Sequence, residues 1–353
     1  MKTDNFLLKN GNKRKTKGED MGKKVVFIES NSNDPRFNLA LEQYVFDEMP
    51  NDREYFWLWQ NHNTIVVGKH QNTAQEINQT YVREHGITVV RRLSGGGAVY
   101  HDMGNVNFTF IADTGDMETL NLHAFCTPVV NTLEQIGVKA EVSGRNDITI
   151  DGKKFSGNSQ YIKHGRIMHH GTLMFDSDLS VVSKALQVSS DKYESKGFKS
   201  VKSRVTNIKP YAPADMDMET FKNILKQYMV QGEDVEIHHL SEEELKRIQQ
   251  IQEERYNTWE WNYGASPEFS VQKKRRIEGC GQIEISMNVE HGCITAYRSF
   301  GDYFGNGDTE ELQETLKGCS LQPEALAERL KDFDLESCYS HLDKDAFICL
   351  LTE

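Results

Sequence analysis

The chain has 353 residues, and its 41 basic and 53 acidic side chains give a formal net charge of −12. That acidity argues against a general affinity for nucleic acid or anionic membrane, and no stretch approaches the roughly 20 apolar residues that a membrane-spanning helix needs. With 37% hydrophobic and 27% charged residues, the composition is that of a globular chain with a sizeable core, and the length fits two domains.

Residues 1–22 carry a basic run without the apolar core of a secretory signal, so a disordered extension is expected there. Residues 25–29 read as a strand. Phe37, Leu39, Leu41, Tyr44, Val45 and Met49 then space as a buried helix. Two β-rich runs follow, 54–60 and 64–68, joined by the polar turn Asn61-His62-Asn63. A helix near 74–85 passes through Gly86 into a strand at 87–91. Beyond a Gly-rich loop come a strand at 105–112 and a helix over 120–136, stopped by Gly137. Residues 140–175 look like a β-meander. Helices dominate from there to about residue 260, and Ser241 with Glu244 fits a capping box. Composition changes around 259–267. Strands return over 269–299, with turns at Glu278-Gly279 and Glu290-His291-Gly292, and helices follow near 310–318, 323–333 and 344–351. Strands therefore come in groups. The expected class is α+β with a mixed or antiparallel sheet in a large domain, 23–258, and a small α+β domain, 264–353.

The six cysteines, Cys126, Cys280, Cys293, Cys319, Cys338 and Cys349, form no CxxC pair. Reduced thiols in a cytoplasmic protein are expected.

The sharpest local feature is Arg91-Arg92-Leu93-Ser94-Gly95-Gly96-Gly97-Ala98-Val99-Tyr100-His101-Asp102. Consecutive glycines permit positive φ and close backbone approach to a ligand, and successive N–H groups can cradle a phosphate or carboxylate. The two arginines add charge-assisted donors for the same anion. No Lys-Ser/Thr follows, so this is not a P-loop, and no helix pattern follows as a dinucleotide fingerprint would need. Further on, Asp151-Gly152 signals a hairpin that brings Asn146 and Asp147 near Lys153 and Lys154. One lysine of that pair faces inward and the other faces water. An inward lysine suits a phosphate that gathers charge during reaction, and Asp147 is a candidate for Mg²⁺. His169 and His170 are adjacent in a strand and point to opposite faces, so both cannot readily ligate one ion. His238-His239 sits in a polar stretch with no expected role, and the basic clusters at 196–204 and 273–276 read as solvated faces.

Together with Gly144-Arg145-Asn146-Asp147, Lys154-Phe155-Ser156-Gly157, His169-His170-Gly171-Thr172-Leu173, Lys202-Ser203-Arg204-Val205-Thr206-Asn207 and Trp259-Glu260-Trp261-Asn262-Tyr263-Gly264, the Gly-rich motif resembles the lipoate–protein ligase family from about residue 25 to the C-terminus. The resemblance implies a catalytic domain like those of biotin ligases and class II tRNA synthetases, followed by an accessory domain. It implies two half-reactions: lipoate and MgATP give lipoyl-AMP and pyrophosphate, and the lipoyl group then passes to a lysine of an acceptor. The implied acceptors are lipoyl domains of 2-oxoacid dehydrogenase E2 subunits or the glycine-cleavage H protein, with no nucleic acid or membrane partner. Lys154 is implied as the catalytic lysine, touching both adenylate and lipoate. Arg92, Gly97, Ala98, Val99, Tyr100, Asn146 and Asp147 are implied on ATP or the adenylate, and Arg92, Gly96 and His169 on lipoate. ATP, Mg²⁺ and lipoate are the small molecules implied, and Phe37, Leu39, Trp57 and Val99 are candidates for the apolar acyl slot. Two competing readings are an ATP-independent acyltransferase using Cys126 as nucleophile and a non-catalytic lipoate sensor.

Overall fold

The computed structural model describes residues 24–114, 122–144, 146–186, 205–230, 235–263, 271–290 and 292–352. The expected extension at 1–22, Arg145, and the Lys196–Arg204 basic cluster lie outside the described residues.

The large domain is built on an eight-stranded mixed sheet. Its strands are β1 (Val25–Glu29), β2 (Glu54–Trp59), β6 (Asn105–Asp113), β7 (Glu141–Ser143), β8 (Asp147–Ile150), β9 (Lys153–Lys163), β10 (Arg166–Met174) and β11 (Val235–His239). Their spatial order is β11-β1-β2-β6-β10-β9-β8-β7. The β11–β1 and β1–β2 pairs are parallel and the rest are antiparallel. A second, three-stranded sheet holds β3 (Thr64–Val67) between β4 (Thr88–Arg91) and β5 (Val99–His101). The α-helices among the described residues of this domain are α1 (Pro35–Asp47), α2 (Thr73–Glu76), α3 (Gln79–Glu84), α4 (Leu122–Gln135), α5 (Leu179–Ala185), α6 (Met218–Tyr228), α7 (Glu242–Ile251) and α8 (Trp259–Asn262).

Period-two alternation assigns the two faces of the large sheet. On β6, Val106, Phe108, Phe110 and Ala112 pack in one core with Phe125 and Leu133 of α4 and Phe221 of α6. On β2, Tyr55, Trp57 and Trp59 face the other core, with Leu39, Leu41 and Val45 of α1 and Ile248 of α7. Helix α1 starts where the sequence dictates: Asp34 accepts a hydrogen bond from the Arg36 amide and Pro35 occupies the first turn. The Ser241/Glu244 capping box closes on both sides. The small domain contains the antiparallel sheet of β12 (Val271–Ile277), β13 (Gly281–Glu290) and β14 (Cys293–Gly301). It is covered by α9 (Thr309–Leu316), α10 (Pro323–Arg329), α11 (Leu335–Cys338) and α12 (Lys344–Thr352), around its own apolar core.

Three details differ from the sequence reading. The helix expected at 74–85 is two short helices, broken at Ile77 and recapped by Asn78, whose side chain accepts from the Tyr81 amide. The strand β5 follows the glycines directly. His238 and His239 lie on an edge strand of the main sheet rather than in an irregular polar stretch.

Candidate active site

A cleft lies between the two sheets of the large domain. Its wall combines apolar side chains, Leu39 of α1, Trp59 of β2, Val66 of β3, Ala98 and Val99, with Asn146, Lys154, Gly157, Asn158 and Ser159. Arg92, Gly96, Gly97 and His170 also line it.

The Gly-rich loop is held in shape by Arg92. This guanidinium is 6% exposed. It donates to the carbonyls of Val66 (3.2 Å), Gly95 (2.6 Å) and Gly97 (2.9 Å), and through Nε to Ser94 Oγ (3.1 Å). Burial lowers its pKa to about 10, which leaves it charged at neutral pH. Gly96 adopts φ +89°, the left-handed region that favours glycine. A Cβ on Gly68 would meet Gly96 O at 2.0 Å, so the loop is stacked directly on the β3 terminus.

Behind Arg92 runs a chain of buried polar groups. Ser94 Oγ lies 2.6 Å from His170 Nε2, and His170 Nδ1 lies 2.9 Å from Glu42 Oε1. Thr109 Oγ1 donates to the same Glu42 oxygen (2.6 Å) and accepts from Trp59 Nε1 (2.9 Å). Because Glu42 only accepts, His170 Nδ1 donates and its Nε2 takes the Ser94 hydrogen. Ser, His and Glu stand in the order of a nucleophilic triad, but Ser94 is 1% exposed and is not on the cleft wall. The chain orients Arg92 rather than presenting a nucleophile.

The Asp151-Gly152 hairpin forms as expected, with φ of +51° and +71°. A bulge at Ile148/Thr149 sets Lys154 opposite Thr149 and Ser156 opposite Ile148. Phe155 then enters the core, Lys154 lies on the cleft wall and Lys153 is exposed. Lys154 Nζ is 2.7 Å from Asp147 Oδ1, and both side chains are about a third exposed. The Thr206 amide donates to the Lys154 carbonyl (2.9 Å), tying the following segment to this strand.

Of the expected site residues, Lys154, Arg92, Gly96, Gly97, Ala98, Val99 and Asn146 meet at this cleft. Three do not. Tyr100 alternates away from Val99 and His101, and its hydroxyl donates to Asn63 Oδ1 (3.0 Å). His169 faces the α4 side, stacked on Phe125 at 4.9 Å and bonded to Gln160 and Asn158; its neighbour His170 takes the cleft face. Asp147 is paired with Lys154 and is not on the wall. No carboxylate lines the cleft among the described residues, and no cluster of three or more His, Cys, Asp or Glu suited to a metal occurs among them. Asp147 is a carboxylate set beside Lys154, and Mg²⁺ is commonly held by one or two carboxylates together with substrate phosphates.

For the acyl slot, Leu39 and Val99 line the cleft, whereas Phe37 and Trp57 pack in the core. Trp59, Val66 and Asn107 also line the wall and were not singled out from the sequence, whereas His101 stood in the Gly-rich motif with no role assigned. Arg91 is no ligand either. Its guanidinium donates to the carbonyls of Gly68, Lys69, Gln71, Trp261 and Asn262 and to Thr73 Oγ1. It clamps α8 to the β3–α2 turn. Cys126 is fully buried in the α4 core, and burial pushes its thiol up to about 12, unlike a nucleophilic thiolate.

The small domain sits against the loop. The Gly96 amide donates to Tyr303 O (3.3 Å), the Gly301 amide to His70 O (2.8 Å), and His70 stacks on Tyr303 at 4.6 Å. A Cβ on Gly95 would meet Tyr303 O at 2.7 Å, so close approach to the glycines is made by the chain's own second domain.

Residues 34–230 match the model of the lipoyl protein ligase A/B catalytic domain, and 266–351 that of the bacterial lipoate protein ligase C-terminus. The chain is 44% identical to the lipoate-protein ligase LplJ of Bacillus subtilis, over 93% of this chain and 100% of that protein. Its fold matches the crystal structure of P. falciparum LipL1 in complex with lipoate at a TM-score of 0.75 and 24% identity, over 94% of this chain and 98% of that one. It also matches a bi-partite lipoate protein ligase studied with its E2 lipoyl domain from Thermoplasma acidophilum, at a TM-score of 0.61 and 26% identity, over 71% of this chain and 100% of that one. The chain belongs to the lipoate–protein ligase family.

Proposed function

We propose that this protein activates lipoate with MgATP to lipoyl-AMP and transfers the lipoyl group to a lysine of a lipoyl domain or of the glycine-cleavage H protein. The observation that carries this reading is one cleft whose wall brings Leu39, Trp59, Val66 and Val99 together with Lys154 and the glycine-rich turn. In the first step a lipoate carboxylate oxygen attacks the α-phosphorus, and the bond to the pyrophosphate oxygen breaks. Two anions meet there. Lys154, with Mg²⁺ carried by ATP, offsets their repulsion and the charge that builds on the phosphorus. Arg92 acts through the loop: its donors fix the Gly95 and Gly97 carbonyls and so aim the backbone N–H groups of the turn. Asn146 and Asn158 hold each other by reciprocal bonds, Asn146 Nδ2 to Asn158 O and Asn158 Nδ2 to Asn146 O, which stiffens the strand pair beside Lys154.

In the second step the acceptor's lysine amine attacks the lipoyl carbonyl. The carbonyl–oxygen bond to AMP breaks and the amine proton leaves. No protein nucleophile is needed, because the mixed anhydride is already activated. The T. acidophilum ligase, whose description names an E2 lipoyl domain, supports acceptors of that class. The test is mass spectrometry of a purified lipoyl domain and a purified H protein after incubation with the protein, lipoate and MgATP. A lipoyl adduct on one lysine is expected. Unmodified acceptors alongside lipoate-dependent pyrophosphate release would reject both acceptors.

A further inference from the structure

The cleft wall holds a polar group that no described residue satisfies. His101 is 3% exposed, lies on the cleft wall and meets Trp59 edge-on at 6.1 Å. Its Nδ1 is 3.1 Å from Asn61 Nδ2 and 3.4 Å from Asn107 Nδ2. Both amides are fixed as donors. Asn61 Oδ1 accepts from Asn38 Nδ2, which also donates to the carbonyls of Ser32 and Gln60. Asn107 Oδ1 accepts from Asn105 Nδ2. The His101 Nδ1 therefore accepts, and in the neutral ring the proton sits on Nε2. Burial, with the Arg92 charge nearby, lowers its pKa to about 3, so the ring is neutral at physiological pH. The Nε2 atom is buried without a hydrogen-bond partner among the described residues.

We propose that His101 is a specificity residue that reads the sulfur end of the acyl tail, its Nε2–H donating to a dithiolane sulfur of lipoate. The inference rests on the ligase reading and adds a selection rule to it. Lys154 lies on β9, Gly157 of that strand meets Thr172 of β10, and Thr172 pairs with Asn107 of β6 beside His101, so a tail that runs across these strands from a carboxylate at Lys154 ends near Trp59 and His101. A saturated tail such as octanoyl ends there in a methyl group and offers no acceptor. Sites built around a hydrogen-bonding group reject analogues that lack it, and sulfur is a weak acceptor, so the preference is set at about fivefold to tenfold.

The experiment measures kcat/KM for pyrophosphate release with lipoate, octanoate and a cyclopentyl isostere in which methylenes replace both sulfurs. It uses the wild-type chain, His101→Phe and His101→Gln, with calorimetric binding of lipoate and the isostere alongside. The wild type should favour lipoate over the isostere by about fivefold or more. His101→Phe should bring that ratio close to one through loss on lipoate alone, and His101→Gln, which keeps a donor, should restore part of it. An unchanged ratio, or equal losses on both acids, overturns the proposal. If His101→Phe does not fold, the wild-type ratio decides, and a value near one overturns it. Absence of turnover with every acid would reject the ligase reading instead, and tighter binding of lipoate than of the isostere would still uphold the selection rule.

Discussion

The Gly-rich loop and the Lys154 hairpin face each other across one cleft, and they are built on opposite terms. Around the loop, Arg92, Ser94, His170 and Glu42 are all buried and joined by bonds of 2.6–3.1 Å, so the turn is rigid before any ligand arrives. Across from it, Lys154 stands about a third exposed, held by one ion pair to Asp147. A pair of that exposure contributes at most about 1 kcal/mol. The difference separates a rigid backbone turn from a cation held loosely enough to change partners.

The contrast is broken most forcefully at its mobile side. Lys154→Ala should lower lipoate-dependent pyrophosphate release by about 10²–10³-fold while leaving the thermal midpoint almost unchanged; a large fall in midpoint would show the hairpin to be structural. On the rigid side the order reverses. Arg91→Leu strands several buried carbonyls at the α8 clamp and should cost about 3 kcal/mol in urea denaturation. Gly68→Ala drives a Cβ onto Gly96 O and should cost about 1–3 kcal/mol, with activity falling alongside. An alanine there with wild-type stability and rate would mean the loop is not rigid.

An effect of comparable size is expected with pH. Burial holds both His70 and His101 at about 3 in the folded chain, against an ordinary value of 6.5. Between those values the unfolded chain binds protons that the folded chain does not. The stability that these two rings contribute is therefore complete above about pH 6.5 and falls as pH drops towards 3, by at most about 1.4 kcal/mol per pH unit for each ring. Denaturation midpoints at pH 7.5 and 5 check this, and His70→Phe, which keeps the stack on Tyr303, should shallow the decline. The smallest effect sharpens the comparison from one residue away: Lys153→Ala should change neither rate nor stability measurably, because Lys153 is exposed on the other side of the same strand.

Adjacent residues with opposite fates also mark how far the sequence was legible. Asp151-Gly152 announced the hairpin, but only the resemblance to the ligase family told Lys154 from Lys153, because the bulge at Ile148/Thr149 that sets the register has no signal in the sequence. His170 could not be told from His169, because β10 is buried on both faces and its sequence carries no polar side to read. Arg91 and Arg92 read as a pair of anion binders, yet their bonds go to backbone carbonyls that only tertiary folding brings together. Trp59 is some forty residues from His101 and Asn107 and meets them only where the two sheets face each other, so no local spacing announces the three together. The strand β11 escaped notice because an exposed edge strand lacks apolar alternation.

The most direct test of the central claim is pyrophosphate release from the purified protein with MgATP, with and without lipoate, in the absence of any acceptor. The account predicts release that requires lipoate and is lost in Lys154→Ala. No release, together with acyl transfer between carrier proteins that requires Cys126, would contradict it.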